Sequence, residues 1–154
     1  MRGVLTLTLV ALLAGCSGNA SGPSPIPEPL PTGVLIIRSA SGPMQFAVQI
    51  AETAETRQRG LMGRTFLPSD EGMVFLFDEP TATAFLMKDT VIPLSIAFWD
   101  TGGRIIDILD MAPCGTEKCP YYRASGEYVG AVEVNRGAFE QHGVRVGDLV
   151  ELDR

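Results

Sequence analysis

Three cysteines are the residues whose neighbours in the sequence indicate chemistry most directly. Cys16 follows the small pair Ala14-Gly15, at the end of an apolar run over residues 4–13. The run has the length of the hydrophobic part of a signal peptide, and it is shorter than the roughly 20 apolar residues that span a bilayer. Small residues before a cysteine form the lipobox of bacterial lipoproteins, in which the thiol takes diacylglycerol and the freed amine takes a further chain such as palmitate. We therefore predict a lipoprotein signal peptide over residues 1–15 and lipidation of Cys16.

The other two cysteines, Cys114 and Cys119, are separated by four residues. A lipoprotein anchored in this way lies in the cell envelope and faces the periplasm or the exterior. Two spare cysteines this close normally pair in an oxidising compartment, so we predict a structural disulfide. A redox-active pair and a metal-binding pair are the alternatives, although redox sites usually have a two-residue spacing and zinc would need two further ligands. We expect no metal and no cofactor.

Charged side chains near the ends of the predicted strands and of the first predicted helix could form a binding site. The residues that we assign to possible ligand binding are Arg57, Arg64, Lys88, Asp89 and Glu133. Together they would form a polar groove for a small anionic or polar ligand, because arginine suits bidentate contacts with carboxylate or phosphate. The alternative is that they cap turns and form ion pairs around the rim of a barrel.

The sequence assigns no catalytic residue. Asp89, Asp110 or Glu133 could act as an acid or a base in a hydrolase or a carbohydrate-active enzyme. Paired carboxylates must however lie at a defined separation, which sequence alone does not provide. The formal net charge of −6 and the absence of a run of Lys and Arg argue against nucleic acid as a partner.

The elements that must position these residues are short strands and two short helices. Alternation of apolar and polar residues, or short apolar runs between turn residues, predicts strands. These strands are expected at residues 34–38, 45–51, 72–77, 84–87, 94–99, 104–110, 128–134 and 149–152. Thr53 is expected to cap a helix ending near Gly63, and Asn135 a second one that turns Ala138 and Phe139 inward. We predict a mainly β fold, a compact antiparallel barrel or two-layer sandwich with two short helices.

Composition divides the chain into three segments. The signal peptide over residues 1–15 is followed by the lipidated cysteine and a proline-rich linker over residues 16–32. Prolines at every second position favour extended polyproline II and cannot bury a core, so this linker would act as a stalk. Residues 33–154 have the size of a single globular β-rich domain.

Several short motifs occur together in the order seen in a known family. They are RGLMGR at residues 59–64, GMVF at 72–75, FLMKDT at 85–90, IPL at 92–94, VEV at 132–134 and GD at 147–148. With the cysteine pair between them, the chain resembles the bacterial and archaeal family called domain of unknown function 192 over residues 33–152. The family usually has tryptophan, asparagine and aspartate where this chain has Leu86, Asp89 and Ser95. The resemblance implies a mainly β fold with small helices, and it implies no established activity.

Together these observations predict an envelope lipoprotein with a binding domain and no catalysis. Its partners would be the membrane, through the lipid anchor, and a small polar ligand or an envelope protein. A hydrolase or carbohydrate-active enzyme and a structural envelope protein are the alternatives.

Overall fold

The computed structural model describes residues 29–116 and 118–154. The predicted signal peptide, the lipidation site Cys16 and most of the predicted linker lie outside the described residues. Within them, no helix combines the length and the apolar composition that crossing a membrane requires.

The described chain contains nine strands and two short helices. The strands are β1 (Thr32–Ser39), β2 (Gly42–Ala51), β3 (Glu71–Thr81), β4 (Phe85–Leu86), β5 (Leu94–Trp99), β6 (Ile105–Met111), β7 (Tyr121–Tyr122), β8 (Tyr128–Asn135) and β9 (Leu149–Asp153). The helices are α1 (Ala54–Arg59) and α2 (Ala138–Gln141). This confirms the prediction of a mainly β fold with two short helices.

Seven of the strands form one curled sheet in the order β6-β5-β8-β3-β2-β1-β9, while β4 pairs with β7 in a separate small sheet. All pairs in the large sheet are antiparallel except β2–β3, which is parallel. The two edges approach each other where Arg104 bridges Leu149 and the Val150 N–H donates to the Gly103 carbonyl at 2.8 Å. The sheet is therefore a half-barrel whose edges meet at one end.

Each face of the sheet carries its own hydrophobic core, because side chains along a strand alternate between the two faces. The inner core contains Phe46, Trp99, Val132 and, from α2, Phe139. The outer core contains Met73, Phe75, Ile96, Phe98 and Tyr128 from the strands, covered by segments that include Leu61, Met87 and Cys114. Every residue of β5 is buried, and so are most residues of β8, because this part of the sheet is covered on both faces.

Two predicted strands differ most from the observed ones, and β7 was not predicted. β3 continues through Asp78 and Pro80 to Thr81 instead of stopping at Phe77, and a register shift between Leu76 and Thr81 accommodates the proline. The strand predicted over residues 84–87 is reduced to Phe85–Leu86.

One of the two predicted helix N-caps is observed. Thr53 caps α1 as expected, with a reciprocal pair of hydrogen bonds to Thr56, but the helix ends at Arg59 rather than near Gly63. The prediction that Asn135 caps the second helix is wrong, because Asn135 ends β8 and its side-chain amide donates to the Leu67 and Pro68 carbonyls at 2.9 and 3.0 Å. Gly137 occupies the N-cap position instead.

Candidate functional site

A cavity of about 510 Å³ lies on the outer face of the sheet. We call it the outer cavity. Residues of α1 and the turn after it form one side, and the segment around β4 forms the other. Most of its walls are apolar. The apolar walls are formed by Leu61, Met62, Phe75, Phe77, Phe85 and Leu86.

Glu133 of β8 is the buried acidic residue of this cavity. Its partners across the sheet are Met73 in β3 and Ile96 in β5, both in the outer core. The residue is only 5% exposed, and it lines the outer cavity. Burial disfavours its charged form and raises the pKa of Glu133 to about 8, with no hydrogen bond or ion pair from the described chain to offset this. At neutral pH the carboxyl group is therefore mostly protonated and can both donate and accept a hydrogen bond.

Basic side chains line the same cavity. Arg57 is fixed in place, because its Nη1 donates to the Glu52 and Leu76 carbonyls at 2.7 Å each and its guanidinium lies 4.7 Å from the centre of the Phe77 ring. Arg59 and Lys88 also line the cavity, and neither takes part in an ion pair within the described chain. The cavity thus combines three cations with one buried carboxyl group.

The predicted disulfide between Cys114 and Cys119 is present, which confirms that prediction. Cys114 forms backbone bridges to Lys88 and Thr90, and its N–H donates to the Thr90 carbonyl at 3.2 Å. Both partners line the outer cavity. The disulfide loop consequently supports one wall of the cavity.

Asp89 and Arg64 do not line the outer cavity. Asp89 is exposed and lines a smaller neighbouring cavity of about 350 Å³, together with Glu55, Arg59 and Lys88. Arg64 lines neither cavity and donates a hydrogen bond to the side-chain oxygen of Gln49. Of the five residues proposed for ligand binding, the fold therefore brings Arg57, Lys88 and Glu133 together.

The backbone conformation of Asp89 explains its residue type. Its φ of 54° lies in the left-handed region, where Asn and Asp are tolerated better than other non-glycine residues. The Asp89 carbonyl accepts a hydrogen bond from the Gly63 N–H at 2.9 Å, which joins this turn to the segment after α1. Aspartate here and the asparagine usual in the resembling family satisfy the same backbone requirement.

Asp110 belongs to a separate network at the end of β6. It accepts a hydrogen bond from the Ser95 hydroxyl at 2.6 Å and pairs with Arg136 at 3.2 Å. The Ser95 hydroxyl in turn accepts a hydrogen bond from the Gly137 N–H at 2.9 Å. The hydrogen bond from Ser95, followed by the contacts with Arg136, lowers the pKa of Asp110. Asp110 thus places a carboxylate beside Ser95, the position at which the resembling family usually has an aspartate. Asp110 does not line the outer cavity.

The aromatic walls were missed by sequence reasoning. Phe75 and Phe77 are two residues apart on β3, so the period of a strand places them on the same face. Nothing in the sequence showed that Phe85 would pack edge-on against Phe75, with ring centres 5.0 Å apart.

The apolar walls and polar side chains of the outer cavity suit binding of an organic molecule. In the described chain no group of three side chains is placed to hold a metal ion.

Comparison with known proteins shows the family and the fold. No curated protein matches the chain. The crystal structure of a protein of unknown function from Novosphingobium aromaticivorans DSM 12444 is similar, with a TM-score of 0.74 and 32% identity over 86% of this chain and 94% of that one. A protein from Sinorhizobium meliloti 1021, described as a candidate transcription regulator, has a TM-score of 0.74 and 28% identity over 80% of this chain and 95% of its own.

The family comparison covers nearly the whole domain. Residues 35–152 match the sequence model of domain of unknown function 192, described as "Uncharacterized ACR". This range contains both cores and every residue of the outer cavity named above. The chain therefore belongs to the family domain of unknown function 192.

Proposed function

We propose that the protein is an envelope lipoprotein whose β domain binds a small ligand in the outer cavity without chemically changing it. The observation that carries this proposal is Glu133, a buried carboxyl group without a protein partner in a cavity of about 510 Å³. Cavities of roughly 300–1,000 Å³ with apolar walls and a few polar groups are typical of small-molecule sites.

The carboxyl oxygens of Glu133 open into the outer cavity. No fully buried side-chain oxygen or nitrogen of the described chain lacks a hydrogen-bond partner, and no described group bonds to Glu133, so its oxygens keep contact with the space of the cavity. A ligand that fills this space and hydrogen-bonds the carboxyl group would replace solvent there. A ligand that fills it without such a bond would leave the group unpaired, at a cost of about 1–3 kcal/mol.

Placement in the envelope rests on the lipobox before Cys16. The disulfide between Cys114 and Cys119 supports it, because disulfides persist in oxidising compartments and are rare in the cytosol. A stalk of alternating prolines would hold the domain, and with it the cavity, away from the membrane surface.

A screen with a matched pair of blocked variants tests the binding function. The mature polypeptide, residues 16–154 with Cys16→Ser, would be isotope-labelled and screened by NMR against a library with equal shares of aryl anions, aryl amines, neutral aryl compounds and sugars. We expect binders that shift the amide signals of Gly60, Phe85 and Thr90. Ala84→Trp should fill the cavity and abolish these shifts, whereas Ala82→Trp, two residues earlier and outside the cavity, should preserve them. If no library member shifts these signals, a structural envelope role is favoured instead.

An enzymatic function is the second candidate, and the raised pKa of Glu133 favours it. General acids often have a pKa near the working pH, and perturbed values cluster at functional sites. Glu133 is however the only carboxylate of the described chain that lines the outer cavity, so a two-carboxylate mechanism lacks its second group. Turnover of any binder, lost in Glu133→Gln, would establish an enzyme.

DNA binding is not proposed, although one structural relative is described as a candidate transcription regulator. Binding to the phosphate backbone requires clustered Lys and Arg. This chain has 12 basic against 18 acidic residues.

A further inference from the structure

We infer that the ligand of the outer cavity is a small organic anion, with a ring-sized apolar body, a hydroxyl group that reaches Glu133 and an acidic group held by Arg57 and Lys88. This inference rests on the proposed binding function and goes beyond it by naming the chemistry of the ligand. Three features of the cavity carry it, namely its walls, its charges and its buried end.

The walls select the body of the ligand. Phe75 and Phe85 meet edge-to-face, with ring centres 5.0 Å apart, and Phe77 lies on the same face of β3. Aromatic rings prefer such edge-to-face and offset contacts with one another. A flat ring in the cavity can therefore lie against these side chains and extend their packing, which a strongly hydrated molecule does not do.

The charges select the sign of the ligand. Arg57, Arg59 and Lys88 line the cavity, and the only carboxyl group among its described lining residues, Glu133, is mostly protonated at neutral pH. The Nη1 of Arg57 is already used by two carbonyl groups, while its Nε and Nη2 donate no hydrogen bond to the described chain. The site consequently presents donors and positive charge to an acidic group of a ligand, and it repels an ammonium group.

The buried end selects a hydroxyl group. A protonated carboxyl group donates one hydrogen bond and accepts another, and a hydroxyl group does the same. Glu133 and a ligand hydroxyl can thus satisfy each other. A ligand without the hydroxyl group leaves Glu133 unpaired, which a site of this kind disfavours.

Four probes of similar size separate these features. 4-Hydroxyphenylacetate has the ring, the hydroxyl and the anionic group, phenylacetate lacks the hydroxyl, 2-(4-hydroxyphenyl)ethanol lacks the charge and tyramine reverses it. Binding to residues 16–154 with Cys16→Ser would be measured by calorimetry at pH 7. We expect 4-hydroxyphenylacetate to bind about five- to tenfold more tightly than phenylacetate and the neutral alcohol, and tyramine to bind most weakly.

Variants with matched controls assign each preference to its residue. Lys88→Gln should weaken binding of 4-hydroxyphenylacetate several-fold and leave the neutral alcohol unchanged, whereas Lys118→Gln, an exposed lysine outside the cavity, should change neither. Glu133→Leu should preserve the fold and abolish the preference for 4-hydroxyphenylacetate over phenylacetate. Glu140→Gln on the exposed side of α2 serves as its control.

The outcomes distinguish the two levels of the proposal. Tightest binding by tyramine, equal binding of charged and neutral probes, or no binding by any of the four would overturn the inference about ligand class. The proposed function would still stand if sugars or amines of the wider library shifted the cavity signals. It would fall with the inference if no library member did so.

Discussion

At the scale of single residues, Glu133 makes stability depend on pH. Its pKa is about 8 in the folded protein and has an ordinary value of 4.5 when the chain is exposed. The folded state therefore binds more protons between these values, and its stability relative to Glu133→Gln should fall as pH rises from about 4.5 to 8. The slope should approach 1.4 kcal/mol per pH unit within that window and be flat outside it.

Urea unfolding of both proteins from pH 4 to pH 9 measures this difference. The same series on Glu140→Gln, which removes an exposed carboxylate from α2, is the control. The cationic side chains that line the cavity, Arg57, Arg59 and Lys88, are the same in both proteins, so the difference between the two proteins reports Glu133. Parallel curves for the original protein and Glu133→Gln would mean that the carboxyl group is ionised and solvated in the folded state.

Asp89 gives a second prediction, which concerns backbone conformation. A left-handed φ of 54° costs about 1–2 kcal/mol for a residue with an ordinary side chain, and less for Asn, Asp or Gly. Asp89→Ala should therefore lower the free energy of unfolding by about 1 kcal/mol, whereas Asp89→Asn and Asp89→Gly should leave it nearly unchanged. Urea midpoints compare these variants with Asp70→Ala, an exposed aspartate whose φ is not positive. A loss for Asp89→Asn as large as for Asp89→Ala would show that the carboxylate, and not the backbone, matters.

These residues show how far the sequence predicts the site. Arg57, Lys88 and Glu133 were selected by charge and by position near the ends of elements, and they do meet in one cavity. The burial of Glu133 was not predictable, because it depends on segments far apart in sequence that cover the outer face of β8. Arg64 lies apart from these three residues, hydrogen-bonded to Gln49 of β2, and its position in the sequence does not show this.

At the scale of elements, the contact between β5 and β8 depends on the absence of a side chain at Gly130. Trp99 and Gly130 are paired across the two strands, and a Cβ at Gly130 would lie 2.1 Å from the indole ring. Gly130→Ala must therefore displace Trp99 from the inner core, which we expect to lower the free energy of unfolding by about 2–3 kcal/mol. Gly126→Ala is the control, since its nearest neighbour would lie 3.8 Å away. Thermal unfolding followed by Trp99 fluorescence measures both, and equal transition temperatures would contradict the packing described.

The disulfide loop gives a prediction that connects an element with the site. Closing a loop this short stabilises a protein by about 2 kcal/mol in the chain-entropy account. Cys119→Ser should lower stability by roughly this amount, and it should also shift the amide signals of Lys88 and Thr90, which bridge to Cys114. Signals of the β1–β2 hairpin, far along the sheet, serve as the internal control. Unchanged signals at Lys88 and Thr90 would show that the cavity wall does not depend on the disulfide.

Regular elements were predictable where a local pattern determines them. The β1–β2 hairpin follows from alternating residues such as Phe46, Val48 and Ile50, which point to one face. The parallel pairing of β2 with β3 was not foreseen, because α1 and the turn after it return the chain to the same end of the sheet. The pair β4–β7 has two residues in each strand, too few for any sequence period.

At the scale of the whole molecule, the curl of one sheet accounts for both cores. A seven-stranded sheet whose edges meet at one end encloses the inner core, and the segments between strands cover its outer face. Sequence patterning therefore predicted a barrel or a sandwich without deciding between them, since both bury alternate residues of every strand. The outer cavity exists because the covering segments do not fill the outer face completely.

A lipid on Cys16 would fix this molecule to a membrane. If Cys16 carries the lipid, Cys16→Ser should abolish incorporation of labelled palmitate and leave the protein uncleaved or soluble, because each buried CH₂ of an acyl chain contributes about 0.8 kcal/mol to membrane binding. Ser17→Ala, a change to the next residue, should leave labelling and membrane retention unaffected. The measurement is fractionation of bacteria that express each form, with mass spectrometry of the amino terminus. Mature Cys16→Ser protein that stays with the membrane would refute the anchor, and the case for an envelope location would then rest on the disulfide alone.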